Sequence, residues 1–248
     1  MKPSFDILVI GGGHAGLESA LISAHRGCST LLVTQDPGAI GRMSCNPAIG
    51  GLAKGQMVRE IDMLGGSMGL FSDYSGIQFK VLNQSKGRSV WSPRAQVDKR
   101  VYEKTARDKV LSTKGITVCA GEVVKIEPKN GGFLSFLRDD TVFFIKTVVV
   151  TCGTFLSGKI HIGERKILAG RMGEERSEGI TESLKKLGLT PGRLKTGTPP
   201  RIDGKTIDKS KMIEQPGDSP TPHFSFITPK IEHPEQISCW ITHTNKKT

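Results

Sequence analysis

Cysteine is scarce and unpatterned in this chain of 248 residues. The five present (Cys28, Cys45, Cys119, Cys152 and Cys239) are odd in number, widely spaced and without a Cys-x-x-Cys pair. That excludes a disulfide framework and a structural zinc site, so no metal is expected, and it points to a reducing compartment. No apolar run approaches the ~20 residues that a membrane-spanning helix needs. The N-terminus passes almost directly into the first strand, which leaves no room for a signal or transit peptide, so the cytoplasm is the expected setting. Internal repeats and low-complexity tracts are lacking too. The apolar fraction of 36% is low and thirty glycines are many, which suits a loop-rich α/β protein better than a helical bundle. Acidic residues are outnumbered, 24 against 35 lysines and arginines, for a formal net charge of +11. Such an excess favours an anionic partner, with nucleic acid the leading candidate and an acidic membrane surface the second.

What is present is most informative between Phe5 and Ala20, FDILVIGGGHAGLESA. Phe5, Ile7, Leu8, Val9 and Ile10 form a nearly continuous apolar segment, as in a strand buried on both faces of a parallel sheet. Gly11, Gly13 and Gly16 occupy the positions of a G-x-G-x-x-G fingerprint. The first allows a tight turn, the second lets backbone approach a pyrophosphate, and the third lets the helix pack close to the strand. The following helix start offers amide groups and a positive dipole end to that anion. A second strand is expected over Ser29 to Thr34. The acidic residue that usually holds the ribose at its end is replaced by Thr34-Gln35-Asp36, where Gln35 is able to hydrogen-bond a ribose and Asp36 stands one residue late. The fingerprint alone therefore does not separate FAD from NAD.

Further along, Gln35 to Gly55 is irregular, and Gln56 to Leu64 reads as a short helix with Met57, Ile61 and Leu64 inward. Gly76 to Leu82 is expected as a strand. Gln96 to Leu111 has a helical period carried by Val97, Val101, Ala106 and Val110. Ile116–Cys119, Glu122–Ile126, Phe133–Arg138 and Val142–Ile145 suggest a β-meander, with Thr147 to Thr151 a further buried strand leading into Cys152-Gly153-Thr154. A helix is expected over Gly179 to Leu187. After Pro191 the chain is rich in Pro, Gly, Lys and Thr. It stops directly after the strand-like Cys239 to Thr242, so a truncated second domain is expected.

Four segments narrow the reading to a family: GGGHAG (Gly11 to Gly16), MSCNPAIGG (Met43 to Gly51), CGTFLSGKIHIG (Cys152 to Gly163) and RLKTGTPPRI (Arg193 to Ile202). With GIQFKVLNQSKG, RAQVDK and ITHTN, they make the chain resemble the N-terminal part of the FAD-binding subunit of the tRNA uridine 5-carboxymethylaminomethyl modification enzymes, the MnmG or GidA family. Two departures stand out. Leu52-Ala53-Lys54-Gly55-Gln56 replaces part of the family's glycine-rich segment, and Arg88 stands where proline is usual.

The resemblance implies an α/β fold: a Rossmann-like FAD-binding domain over residues 1–200, with the β-meander at about 116–146, followed by the start of an inserted substrate- or NADH-side domain over 201–248. It implies FAD held by Gly11, Gly12, Gly13, His14, Ala15 and Gly16, with Val123 (through its backbone, near the adenine) and Ser177 as further FAD contacts. The implied activity adds an aminomethyl or carboxymethylaminomethyl group at C5 of the wobble uridine of tRNA. The carbon comes from methylenetetrahydrofolate and NADH is the reductant. A GTPase partner of the MnmE family, a homodimer and a heterotetramer with that GTPase go with it.

Cys45 is the catalytic candidate. C5 chemistry on uridine often begins with a nucleophile adding at C6, and a thiolate suits that step; a proton-donor role stands beside it. Arg42 and Lys54 are the nearby cations expected to lower its pKa. Cys28, Cys119 and Cys239 are expected in the core. Lys86, Arg88, Arg94, Arg100, Lys195 and Arg201 are candidates for phosphate contact. Lys195-Thr196-Gly197-Thr198 lacks the spacing of a nucleoside-triphosphate loop. Two other readings are a folate- and FAD-dependent uridine C5 methyltransferase, which lacks MSCNPAIGG, and an inactive fragment that binds FAD or tRNA.

Overall fold

The computed structural model describes residues 4–43, 46–197, 199–229, 231 and 233–246. The chain divides into two compact units, each built from two separate stretches: Met1–Ser44 with Glu103–Lys195, and Cys45–Tyr102 with Thr196–Thr248.

The first unit starts with β1 (Phe5–Ile10), α1 (His14–His25) and β2 (Thr30–Thr34). Its stretches of the chain then contribute the larger part of α4 (Lys99–Ser112), β6 (Ile116–Ala120), β7 (Val123–Lys129), β8 (Gly132–Leu137), β9 (Val142–Val150) and α5 (Ile180–Lys186). A hairpin of β10 (Ile160–Ile162) and β11 (Arg165–Ile167) stands apart. The main sheet has the order β6-β2-β1-β9-β8-β7. Its first four strands are parallel, with Leu8 opposite both Leu31 and Val148. This is the expected Rossmann-like α/β arrangement.

The meander differs from the expectation. Ile116–Ala120 is no part of it; that strand pairs in parallel with β2. The remaining two segments, Val142–Ile145 and Thr147–Thr151, are one strand. Its first half pairs antiparallel with β8 and its second half in parallel with β1, and Ile145 lies opposite both Phe133 and Phe5. Only Gly121 and Glu122 separate β6 from β7, although these strands stand at opposite ends of the six-strand order. Three Cα–Cα steps reach about 11 Å, whereas five flat inter-strand spacings need about 24 Å. The sheet therefore curls at β9, and the meander folds back over the parallel strands. Leu8, Ile10, Leu31 and Val33 pack there against Val123, Ile126, Leu137 and Ile145, with Ile180 of α5 closing the cluster. Val9 and Leu32, fully buried and outside that cluster, alternate to the other face, against which α1 sets Leu17, Ala20 and Leu21.

The second unit contains a three-stranded antiparallel sheet, β3 (Ala48–Gly50), β5 (Ser92–Val97) and β4 (Gly76–Leu82), in the order β3-β5-β4. Two helices pack with it, α2 (Lys54–Met63) and α3 (Met68–Ser75). A hairpin of β12 (Ile213–Gln215) and β13 (Cys239–Ile241) completes it. The buried face of α2 is not the one expected: Gly55, Val58 and Asp62 are inward, while Met57 and Leu64 are exposed. The cause is Asp62, a buried carboxylate that takes hydrogen bonds and so turns a polar position to the interior. In α4 the inward stripe is Tyr102, Ala106 and Val110, while Val101 is exposed and Val97 belongs to β5.

Candidate functional site

The fingerprint forms the junction between β1 and α1. Gly11 donates its N–H to Val33 O at 2.8 Å and has φ of +105°, a conformation open to glycine. A Cβ on Gly11 would lie 2.8 Å from the carbonyl oxygen of Thr151, and one on Gly16 would lie 1.8 Å from that of Gly11. Both positions thus exclude any side chain. Gly12 is buried, and its carbonyl accepts from Gly41 N at 2.9 Å. Gly13 is different. Its φ of −72° suits any residue, it is exposed, and a Cβ there would meet nothing within 4 Å.

The first hydrogen bond into α1 runs from Leu17 N to Gly13 O at 2.8 Å, so the amides of the preceding turn lack an acceptor within the helix. That turn reads His14-Ala15-Gly16, with Ala15 exposed, His14 half-buried and no acidic side chain. A helix start with an open, side-chain-free approach at Gly13 has the shape and polarity to take a phosphate group. Thr151, which the sequence reading missed, supports it from beneath. Its hydroxyl lies 2.8 Å from Ile10 O and 3.1 Å from Gly11 O, and its N–H donates to Ile10 O at 2.9 Å.

A second group of residues lies at the ends of β2 and β6. The Gln35 amide donates to the buried Ser177 hydroxyl at 3.4 Å, and the Glu122 carboxylate lies beside it. Glu122 accepts from Arg138 Nε at 2.8 Å and from the backbone N–H of Glu178 at 2.9 Å. Burial raises the Glu122 pKa, but these donors outweigh it and hold the carboxyl below its ordinary range. Val123 follows directly; its side chain is in the core, so its backbone is what remains for a ligand. Gln35 and Ser177, distant in sequence, are brought together here.

Other candidates were placed otherwise. Cys45 lies outside the described residues. Arg42 is held by carboxylates: Glu103 at 2.8 Å, Asp36 at 3.5 Å and Glu174 at 3.6 Å. The hydrogen bond to Glu103, ahead of the other carboxylates, raises the Arg42 pKa and keeps the guanidinium charged. Lys54 Nζ donates to Ala48 O at 3.3 Å. Cys28 sits in the α1–β2 connection rather than in a strand, with its N–H on Ser23 O. Cys119 is only partly buried at the core's edge. Cys152 is mostly buried beside the same cluster, and desolvation pushes its thiol pKa up to about 11.

In the second unit, Cys239 lies in polar surroundings instead of an apolar core. Its thiol donates to Gln78 Oε1 at 3.2 Å, and Arg94 Nη2 lies 3.9 Å from its sulfur. Arg94 also donates to Gln78 at 3.0 Å and Gln215 at 3.2 Å, which commits this proposed phosphate ligand internally. Arg88 lies over the Trp91 ring at 5.7 Å. Two buried carboxylates bind the chain around Ser225. Asp73 accepts from the backbone of Phe224 (2.6 Å) and Ser225 (2.9 Å) and from the Thr228 hydroxyl. Asp62 accepts from the Ser225 hydroxyl (2.6 Å) and Phe226 N (2.8 Å). Sequence reasoning missed both, because neither sits in a motif.

Among the described residues there is no group of three or more His, Cys, Asp or Glu side chains placed to hold a metal ion. No described helix is long and apolar enough to cross a membrane.

Comparison with known proteins agrees with this geometry. The chain is 52% identical over its 248 residues to a protein of Thermodesulfovibrio yellowstonii named tRNA uridine 5-carboxymethylaminomethyl modification enzyme MnmG, and spans 40% of that relative's length. The structure of Aquifex aeolicus GidA superposes with a TM-score of 0.90 at 46% identity, covering 96% of this chain and 41% of that one. A GidA-related protein from Thermus thermophilus shares the fold, with a TM-score of 0.52 at 16% identity over 75% of this chain and 69% of that one. The sequence model of the family described as glucose inhibited division protein A matches residues 6–248, and the chain belongs to that family.

Proposed function

We propose that this chain is the FAD-holding part of an enzyme that modifies C5 of the wobble uridine in tRNA. The observation that carries the reading is Gly13, the one fingerprint glycine whose missing side chain serves no packing need of the protein itself. In this reading, Gly11 and Gly16 keep strand and helix close. The backbone of Gly12 to Gly16, including His14 and Ala15, faces the pyrophosphate of FAD. The backbone at Val123, with Gln35 and Ser177, faces the adenosine. FAD, when bound, supplies hydride transfer.

The protein's own residues orient the substrates around it. Cys45 acts at the pyrimidine as nucleophile on C6 or as proton donor. The net charge of +11 attracts the tRNA backbone. The reaction uses methylenetetrahydrofolate for the carbon and NADH as reductant, in the cytoplasm. The whole protein works as a homodimer joined by an MnmE-family GTPase. The 52% identity to the named MnmG supports this reading over a C5 methyltransferase.

The test is to purify the chain and titrate it with FAD, then assay wobble-uridine modification in a full-length background with and without Cys45→Ala. FAD binding together with loss of modification in the variant supports the reading. Normal modification without Cys45 sinks the catalytic assignment, and failure to bind FAD sinks the cofactor assignment.

A further inference from the structure

Between Asp73 and Asp98 the chain carries Lys80, Lys86, Arg88 and Arg94 and no acidic residue. Two of these cations stand on the loop that joins β4 to β5, which is closed at its base by the Leu82–Ser92 pair. Every residue from Gln84 to Trp91 is exposed. Fixing such a loop costs conformational entropy, yet this one is tied at several points. It runs through two 3-10 turns, Gln84–Lys86 and Arg88–Val90, joined at Gly87, whose φ of +96° lies in the region open to glycine. The Trp91 indole N–H donates across the loop to Gln84 O at 3.2 Å, and the Asn83 amide donates to Val90 O at 3.5 Å. From outside the loop, Gln56 of α2 donates to Trp91 O at 3.2 Å and to the Ser92 hydroxyl at 3.1 Å.

This order presents a ring and two cations to solvent. Trp91 is 39% exposed although its one polar side-chain atom is already bonded, and the Arg88 guanidinium lies 5.7 Å from its ring centroid. Among the described residues no carboxylate pairs with Lys86 or Arg88, whereas Lys80, at the end of β4, pairs with Asp218 at 3.2 Å. A flat aromatic face beside unpaired cations is complementary to an unstacked base with a phosphate on either side. A duplex keeps its bases stacked inside and offers such a surface only phosphates.

We propose that the β4–β5 loop is a contact surface for single-stranded RNA: an unstacked base of the tRNA lies on the Trp91 ring while Lys86 and Arg88 hold the adjoining phosphates. This rests on the tRNA reading above and adds the part of the chain that takes unpaired nucleotides. Gln84 and Gln56 hold the ring in place beforehand, so less freedom is lost when RNA binds.

The test is titration of the purified chain with an RNA hairpin of tRNA anticodon-arm sequence and, separately, with a fully paired RNA duplex of the same length. In a Trp240→Phe background Trp91 is the one tryptophan left, and the hairpin should quench its fluorescence while the duplex should not. With fluorescein-labelled RNA, Trp91→Ala should weaken hairpin binding by about tenfold and duplex binding by less than about twofold. Lys86→Gln and Arg88→Gln should weaken both, each lowering the slope of log affinity against log salt by about one. Trp91→Phe, which keeps an aromatic face, should stay within about threefold of wild type on the hairpin, and it serves if Trp91→Ala does not fold. Hairpin binding that neither quenches Trp91 nor responds to its replacement overturns the inference, as does equal weakening of hairpin and duplex by Trp91→Ala. Quenching by anionic phospholipid vesicles but not by the hairpin would give the loop to a membrane surface and overturn it too. A chain that binds neither RNA also overturns it, while the tRNA reading is decided separately by wobble-uridine modification in the full-length background.

Discussion

Gly16 lies so close beneath Gly11 that a Cβ on it would stand 1.8 Å from the Gly11 carbonyl oxygen and 2.8 Å from the Thr151 hydroxyl. The first turn of α1, the end of β1 and the end of β9 therefore meet through backbone and one hydroxyl. Gly16→Ala forces helix and strand apart and is expected to cost at least about 3 kcal/mol. For a chain of this size that lowers the melting temperature by about 6–12 °C, readable by calorimetry without any ligand. A melting temperature within one or two degrees of wild type would contradict the close approach.

Cys152 is expected to be chemically silent. Burial pushes its pKa up to about 11, so at pH 8 the thiol is protonated and poorly nucleophilic. Alkylation of the native chain followed by mass spectrometry should leave Cys152 unmodified, with labelling only after denaturation. Rapid native labelling there would place it outside the core cluster.

The two carboxylates of the second unit should govern how firmly the segment around Ser225 is held. Asp73→Asn replaces an acceptor of two backbone N–H groups and a hydroxyl with a group that must turn one of its own donors toward them. A loss of about 3 kcal/mol is expected, since hydrogen bonds to buried charges are the costly ones to break. Amide exchange at Phe224 and Ser225 should quicken by at least tenfold. Unchanged protection would mean that the segment is held by packing alone.

Glu122 has a pH signature with a defined sign. Burial raises its folded pKa, but the Arg138 and Glu178 donors outweigh this and hold it below the ordinary 4.5. The unfolded chain thus binds more protons in acid, and the stability contributed by Glu122 is fully present above 4.5 and is lost as the pH falls below it. The stability difference between wild type and Glu122→Gln should be constant from pH 7 to about 5 and shrink at lower pH. A difference that grows on acidification would contradict the assignment.

How much of this was legible in the sequence follows from how local each feature is. The β1–α1–β2 unit is specified by neighbouring residues, an apolar run and glycines at fixed offsets, and it was read almost to the residue. The inward face of α2 was misread because Asp62 is buried by hydrogen bonds to Ser225 and Phe226, far along the chain and invisible to a hydropathy pattern. The meander was misdrawn because the short link at Gly121, between two expected strands, has the length of a hairpin turn. Here it joins two strands that do not pair, a consequence of the curl at β9. Gln35 was singled out by its position after β2. Glu122 was not, because its partners Arg138 and Glu178 converge only when the sheet has folded over.

The central claim, that the β1–α1 turn holds the pyrophosphate of FAD, is tested most directly by an FAD titration of the wild-type chain beside Gly13→Ala. A methyl group at Gly13 meets nothing in the protein and its backbone suits alanine, so the variant should fold and melt like wild type. That same methyl would occupy the approach that the phosphate needs. The account predicts FAD binding by wild type and affinity at least about tenfold weaker in the variant, with the melting temperature unchanged. Equal FAD affinity in the two proteins would contradict it.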